Sequence, residues 1–180
     1  MAVLQRIREF FIHPADADAE TVTPAPATRY EIRPLTAKHL RETWKLNQRC
    51  FKSGENYPLH TLEYLLTEVN TLSYRAVAAS GELIGFVFVT LAPDGAGHIT
   101  TIGVAPEHRR RGVARELLRR AEEALSDRRI QTIFLEVRVG NFSAQNLYRE
   151  LGFAIVQNLP KYYNNGEDGY LMVKSLSPLS

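Results

Sequence analysis

From His98 to Ser126 the chain changes its hydrophobic period, and that change calls for a layered fold. His98 to Val104 is a short β-branched run, Ala105-Pro106-Glu107-His108 interrupts it, and from about Arg110 to Ser126 apolar residues recur at Val113, Leu117, Leu118, Ala121 and Leu125. The first stretch predicts a strand and the last a helix with one apolar stripe, because side chains repeat about every 2 residues in a strand and about every 3.6 in a helix. Such a helix is stable only against another apolar layer, so a sheet covered by helices is expected. The start of this helix also carries chemistry. Its first N–H groups lack partners within the helix, the macrodipole is positive there, and the small residues Gly112 and Ala114 admit an anion close to the backbone. Arg109, Arg110, Arg111 and Arg115 add charge suited to a pyrophosphate more than to a single carboxylate; a solvated basic face is the plainer alternative. Neither the dinucleotide pattern G-x-G-x-x-G nor the phosphate-loop pattern G-x-x-x-x-G-K-[ST] is present.

The remaining sequence alternates in the same way. Strands are predicted over 30–34, 73–79, 83–91 and 130–139 and helices over 38–51, 59–69 and 142–151, with two strands after Phe153 and a hairpin turn at Ser80-Gly81-Glu82. A mixed α/β (α+β) domain over 29–180 follows. Ahead of it, residues 1–28 read as an extension: Val3, Leu4, Ile7, Phe10 and Phe11 predict a short amphipathic helix over 1–12, and the acidic, Pro-containing stretch 13–28 a linker. The formal charge of +2 does not by itself suggest a nucleic-acid or membrane partner, so any basic chemistry is local. A single cysteine, Cys50, excludes an intramolecular disulfide and fits a reducing compartment, so the cytoplasm is expected. No apolar stretch approaches the roughly 20 residues of a membrane-spanning helix. Monomer and dimer are both open.

The strand 130–139 puts Phe134, Glu136 and Arg138 on one face. Glu136 is therefore either a general base or one half of a surface ion pair, and Tyr148, beside Leu147 and Leu151, either a proton donor or a packing residue. The pattern R-x-x-G-x-A, Arg109 to Ala114, directly after Ile102-Gly103-Val104, resembles the signature of the GNAT superfamily of acyl-CoA-dependent N-acetyltransferases, and the likeness spans 30–174. It implies the GNAT fold, a mixed central sheet flanked by helices, with the acyl-CoA cleft at a splayed pair of strands. It implies acetyl-CoA as acyl donor, with the pyrophosphate at the amides of Arg110, Arg111, Gly112, Val113, Ala114 and Arg115 beside Arg109. The pantetheine arm would pair with Ile102, Gly103 and Val104, and the Val104 N–H would meet the thioester carbonyl. The stretches L-E-V-R-V-G-N (Leu135 to Asn141) and A-Q-N-L-Y-R-E-L-G-F (Ala144 to Phe153) are similar to the bacterial ribosomal-protein-alanine N-acetyltransferases and related protein N-terminal acetyltransferases. That likeness implies Glu136 as base, Tyr148 as acid and Asn141 as a coenzyme contact, although Asn141 also suits a helix N-cap.

The family chooses its acceptor with two loops, here Phe51 to Pro58, with Phe51 and Tyr57, and 160–169, with Tyr162 and Tyr163. Tyr162-Tyr163 before Glu167-Asp168 resembles the N-Y-Y…E-D segment of the bacterial enzymes, with Lys161 in place of the Asn. The implied reaction is direct transfer to the α-amine of a protein or peptide, a ribosomal protein among the candidates. Exposing the neutral form of an α-amine at pH 7 costs about 1 kcal/mol, against about 4.6 kcal/mol for a lysine. A small-amine acetyltransferase acting on polyamines or aminoglycosides is the alternative. A non-catalytic RNA-binding module is more remote, since Glu116, Glu122 and Glu123 dilute the basic helix and no stacking platform accompanies it. Cys50 reads as a small buried hydrophobe. His39, His60, His98 and His108 lack ligand spacing, so no metal is expected; His98 opens its strand near the implied substrate, with a structural role preferred.

Overall fold

The structure, a computed structural model, describes residues 22–51 and 56–176. Residues 1–21, with the helix expected over 1–12 and part of the linker, lie outside the described residues, as do 52–55 of the first acceptor loop. In chain order the elements are β1 (Tyr30–Pro34), α1 (Leu40–Cys50), α2 (Leu59–Thr67), β2 (Thr71–Ala78), β3 (Leu83–Leu91), β4 (Gly97–Val104), α3 (Val113–Asp127), β5 (Thr132–Arg138), α4 (Phe142–Glu150), β6 (Ala154–Leu159) and β7 (Gly169–Ser175). Single 3-10 turns sit at Ala37–His39 and Pro106–His108.

The seven strands form one sheet in the order β1-β2-β3-β4-β5-β7-β6. Five of the six neighbouring pairs are antiparallel, whereas the crossover through α3 makes β4 and β5 parallel. That parallel contact is brief: Gly97 faces Ile133 and His98 faces Phe134, and beyond them no pairing joins the two strands. The splayed pair is therefore present at the middle of the sheet. Just past that point, Val89 pairs with Ile99 but Phe88 with Thr101, so β4 carries Thr100 as an extra, bulged residue. A bulge bends the strand locally and re-aims the side chains around it.

The glycines show where the helices lie. A side chain at Gly85 would meet Val113 and Leu117 of α3, and one at Gly103 would meet Phe86 and Cys50, the last residue of α1. Gly85 is adjacent to Phe86, which pairs with Gly103, so alternation puts α3 on one face and α1 on the other. Leu117, Leu118 and Leu125 are fully buried on the α3 face, as the apolar stripe requires. The helix begins at Val113 and not near Arg110, because Arg110 (φ 59°) and Gly112 (φ 79°) both adopt left-handed backbone, which no right-handed helix accommodates.

Candidate active site

The gap between β4 and β5 has a main-chain wall. Ala105 N–H donates to the Ile84 carbonyl across β3–β4 at 2.9 Å. In an antiparallel pair the hydrogen-bonding direction alternates, so the N–H groups of Val104 and Ile102 turn to the other edge, toward the gap. The Val104 carbonyl is held by the Cys50 thiol and by Arg109 Nε, each at 3.3 Å. Burial pushes the Cys50 thiol up to about 12, so it is a fixed donor and not a nucleophile.

At the end of this wall the turn 109–112 places two left-handed residues on either side of Arg111, just before the start of α3. Successive amides in such a conformation converge on one point and make an anion-binding concavity, which the dipole of the 15-residue helix reinforces. The arginine side chains contribute less than the sequence suggests. Arg109 also reaches the Cys50 carbonyl at 3.3 Å, Arg111 donates to Pro26 O at 2.9 Å and to Ala25 O, and Arg115 pairs with Glu150 at 2.5 Å. Among the described residues, Arg110 alone of the four is exposed without such a bond. Residues 25 and 26 at the end of the linker are thereby held against the turn, with Ala25 N–H on the Glu107 carbonyl at 3.1 Å. Asn141 is buried and caps α4, its Oδ1 accepting Ala144 N–H at 2.9 Å.

Across the gap, β5 and the loop between β6 and β7 supply side chains. Glu136 is 8% exposed, and its Oε2 lies 2.7 Å from Nε2 of His98, itself 3% exposed and stacked on Phe134 at 4.6 Å. This pair bridges the two strands where they begin to diverge. Sequence reasoning assigned His98 a structural role; the structure places it on the candidate base. The two residues are 38 positions apart, so no local spacing marks them. The available signal was that His98 opens the strand that a parallel crossover sets beside the Glu136 strand.

Tyr148 is 4% exposed, lies edge-on to Phe153 at 5.8 Å, and burial raises its hydroxyl well above the ordinary phenol range. Tyr163 is raised likewise, first by burial, with the Arg138 guanidinium opposing and the Glu136 carboxylate and the Tyr162 and Tyr148 hydroxyls adding. Tyr163 thus lies within electrostatic reach of Glu136, Tyr148 and Tyr162. The Tyr163 hydroxyl is buried without a hydrogen-bond partner, and the Tyr162 and Tyr163 rings meet edge to face at 5.2 Å. Tyr57 is 1% exposed, its hydroxyl bonding the carbonyl of bulged Thr100 at 3.3 Å and its own carbonyl held by Asn47 at 2.9 Å. Phe51 is buried edge-on against Phe86. These two residues form the floor of the first loop more than an exposed lining. Among the described residues no group of three or more His, Cys, Asp or Glu side chains could hold a metal ion, and no helix is long and apolar enough to cross a membrane.

The chain is similar to known proteins in sequence and in fold. The sequence model of the acetyltransferase (GNAT) family matches residues 40–153. An N-alpha-acetyltransferase of Sulfurisphaera tokodaii is 32% identical over 161 residues, covering 82% of this chain and 93% of its own. N-alpha-acetyltransferase daf-31 of Caenorhabditis elegans is 35% identical over 152 residues, covering 81% of this chain and 82% of its own. The crystal structure of the ribosomal-protein-S18-alanine N-acetyltransferase from Escherichia coli superposes with a TM-score of 0.75 at 25% identity, covering 84% of this chain and 97% of that one.

Proposed function

The chain belongs to the GNAT acetyltransferase family and is an acetyl-CoA-dependent N-acetyltransferase, and from that premise we propose that its acceptor is the N-terminal α-amine of a protein or peptide. The observation that carries this reading is the Glu136–His98 pair at the splay, with Tyr163 buried beside it. An α-amine needs only a small free energy to shed its proton at neutral pH, so one buried carboxylate–imidazole pair suffices as acceptor for it. The relatives named N-alpha-acetyltransferase support the same choice.

The donor side fits acetyl-CoA. The concavity at 109–112 and the first amides of α3 suit a pyrophosphate, and the unpaired N–H edge of Ile102 and Val104 suits an extended amide-containing arm. Acetyl-CoA supplies a thioester carbonyl open to attack by a neutral amine. Glu136, with His98, takes the proton that leaves the amine as the N–C bond forms. The Val104 N–H donates to the carbonyl oxygen as charge collects there, a contribution of roughly 3 to 4 kcal/mol in comparable sites. As the C–S bond breaks, the Tyr148 hydroxyl, which burial keeps neutral, hydrogen-bonds the sulfur or passes it a proton. Tyr162 and Tyr163 flank the peptide, and Asn141, as N-cap of α4, faces the coenzyme.

The test mixes the purified protein with acetyl-CoA and peptides of varied first residue and follows CoA release. Release is expected with free N-termini and not with the same peptides formylated at the α-amine. Turnover confined to polyamines or aminoglycosides would overturn the acceptor assignment and leave the family intact.

A further inference from the structure

The geometry points to Arg138 as the residue that positions the loop 160–169 on the strand bearing Glu136, a role that rests on reading that loop as the acceptor loop. Arg138 ends β5, two residues after Glu136 and on the same face, and is 2% exposed. Its Nη1 donates to Glu167 Oε2 at 2.6 Å and to Asn165 Oδ1 at 3.1 Å. Its guanidinium lies over the Tyr163 ring, 3.8 Å from the centroid. Glu167 closes the clamp, since its Oε1 accepts Gly140 N–H at 3.0 Å and its carbonyl accepts Tyr163 N–H at 3.1 Å. The main chain beneath is fixed in turn: Gln145 Nε2 donates to the carbonyls of Arg138 at 3.0 Å and Val139 at 2.8 Å, and Val139 N–H donates to Asp168 O at 3.1 Å.

A buried guanidinium is an expensive way to finish a strand, because its desolvation can outweigh the attraction of its partner, and a packed apolar side chain would serve stability as well. What it offers beyond stability is geometry: one nitrogen, Nη1, holds two loop side chains while the flat face of the guanidinium receives an aromatic ring. The Tyr163 hydroxyl has no hydrogen bond to set its place; its ring position follows from Arg138 and from the loop main chain. Arg138 is thus a positioning residue. It carries the loop and Tyr163 into register with Glu136, and it touches the reacting atoms only through them.

The experiment uses the full chain with Arg138→Met, Arg138→Lys, Glu167→Gln and the Met–Gln double variant, measuring acceptor KM and kcat, acetyl-CoA Kd, and hydrogen exchange over 160–169. Arg138→Met is expected to raise acceptor KM about tenfold or more, with kcat within about threefold and coenzyme Kd unchanged. Arg138→Lys recovers little, since an ammonium lacks the flat face that lies over the Tyr163 ring. Glu167→Gln shows the same pattern more weakly and carries the test should Arg138→Met fail to fold; the double variant is no worse than Arg138→Met alone. An unchanged acceptor KM in Glu167→Gln, full rescue by Arg138→Lys, or a coenzyme Kd shifted as far as acceptor KM would overturn the assignment. If the wild type turned over polyamines alone, the acceptor reading would fall, and exchange over 160–169 would still decide the anchoring: faster exchange in Glu167→Gln supports it and unchanged exchange refutes it.

Discussion

The two walls of the cleft are built from different materials. On the proposed donor side the groups that would hold the coenzyme are main-chain N–H groups, from Ile102 and Val104 through the left-handed turn to the start of α3, and most of the arginines nearby are tied to protein carbonyls or to Glu150. On the acceptor side the groups are side chains from β4, β5, α4 and the β6–β7 loop, namely His98, Glu136, Tyr148, Tyr163 and Arg138, all at least nine-tenths buried. A wall of backbone is fixed by local conformation and tolerates exchange of side chains, provided the turn is kept. A wall of side chains depends on the tertiary fold and fails one group at a time.

The sharpest break of this contrast is Glu136→Gln. The amide keeps the shape but cannot take the proton, so kcat should fall by roughly 10²- to 10⁴-fold, the usual contribution of a positioned base. Coenzyme affinity, a property of the opposite wall, should hardly change. Stopped-flow turnover together with calorimetric titration of acetyl-CoA separates the two. His98→Ala should also slow turnover, and the double variant should be no slower than Glu136→Gln alone, because paired groups acting as one unit are not additive. A large loss of coenzyme affinity in Glu136→Gln would show that the walls are not independent.

The same contrast explains what the sequence disclosed. The donor wall occupies contiguous residues, so Ile102-Gly103-Val104 and Arg109 to Arg115 could be read together, and with them the strand, the turn and the helix. The error lay in extending the helix back to Arg110, since a left-handed Arg cannot be seen in composition, whereas the left-handed glycine after it could have given warning. The arginine side chains were overvalued for a related reason: their partners, Ala25, Pro26, Cys50 and Glu150, are brought to them by tertiary packing alone. On the acceptor wall, Glu136 was legible as a carboxylate within an apolar strand and Tyr148 through the likeness of its segment to a known family, but the His98 and Arg138 contacts were not, because each crosses between segments that only the sheet order brings together. Tyr57 was legible as a loop aromatic, though not as a buried one.

Gly112→Ala tests the backbone wall itself. At φ 79° an L-residue carries a strain of roughly 1 to 2 kcal/mol. The added methyl would have room, with only the Tyr30 hydroxyl within 4 Å, at 3.6 Å. The damage is therefore conformational and not steric. Thermal unfolding should show a loss of that order, and the coenzyme should bind about tenfold more weakly as the amides relax out of register. Unaltered binding would mean that the turn is not the cradle.

Acid sharpens the other side. Burial raises the Glu167 carboxyl, but hydrogen bonds from Arg138 and the Gly140 amide outweigh it and leave the group below the ordinary carboxylate range. A carboxylate depressed in the folded state adds stability that is complete above its unfolded value, near pH 4.3, and that disappears as pH falls through the folded value. Urea midpoints of wild type and Glu167→Gln should therefore differ most at neutral pH and converge as pH falls through the folded value. A gap that persists in acid would show that the clamp works by shape and not by charge.

The smallest effect expected is the one that composition would rank first. Arg110 lies in the basic cluster, is exposed, and has no hydrogen-bond or ion-pair partner among the described residues. Ala in its place shares the left-handed penalty, so Arg110→Ala removes charge and leaves the backbone as it was. An exposed charge contributes about 0.2 to 1 kcal/mol and is screened by salt, so coenzyme affinity should drop less than about fivefold, and the difference should shrink as ionic strength rises. Calorimetric titration of acetyl-CoA at low and high salt measures both. A loss larger than that of Gly112→Ala, undiminished by salt, would reverse the ranking and make the donor wall, like the acceptor wall, a site of side chains.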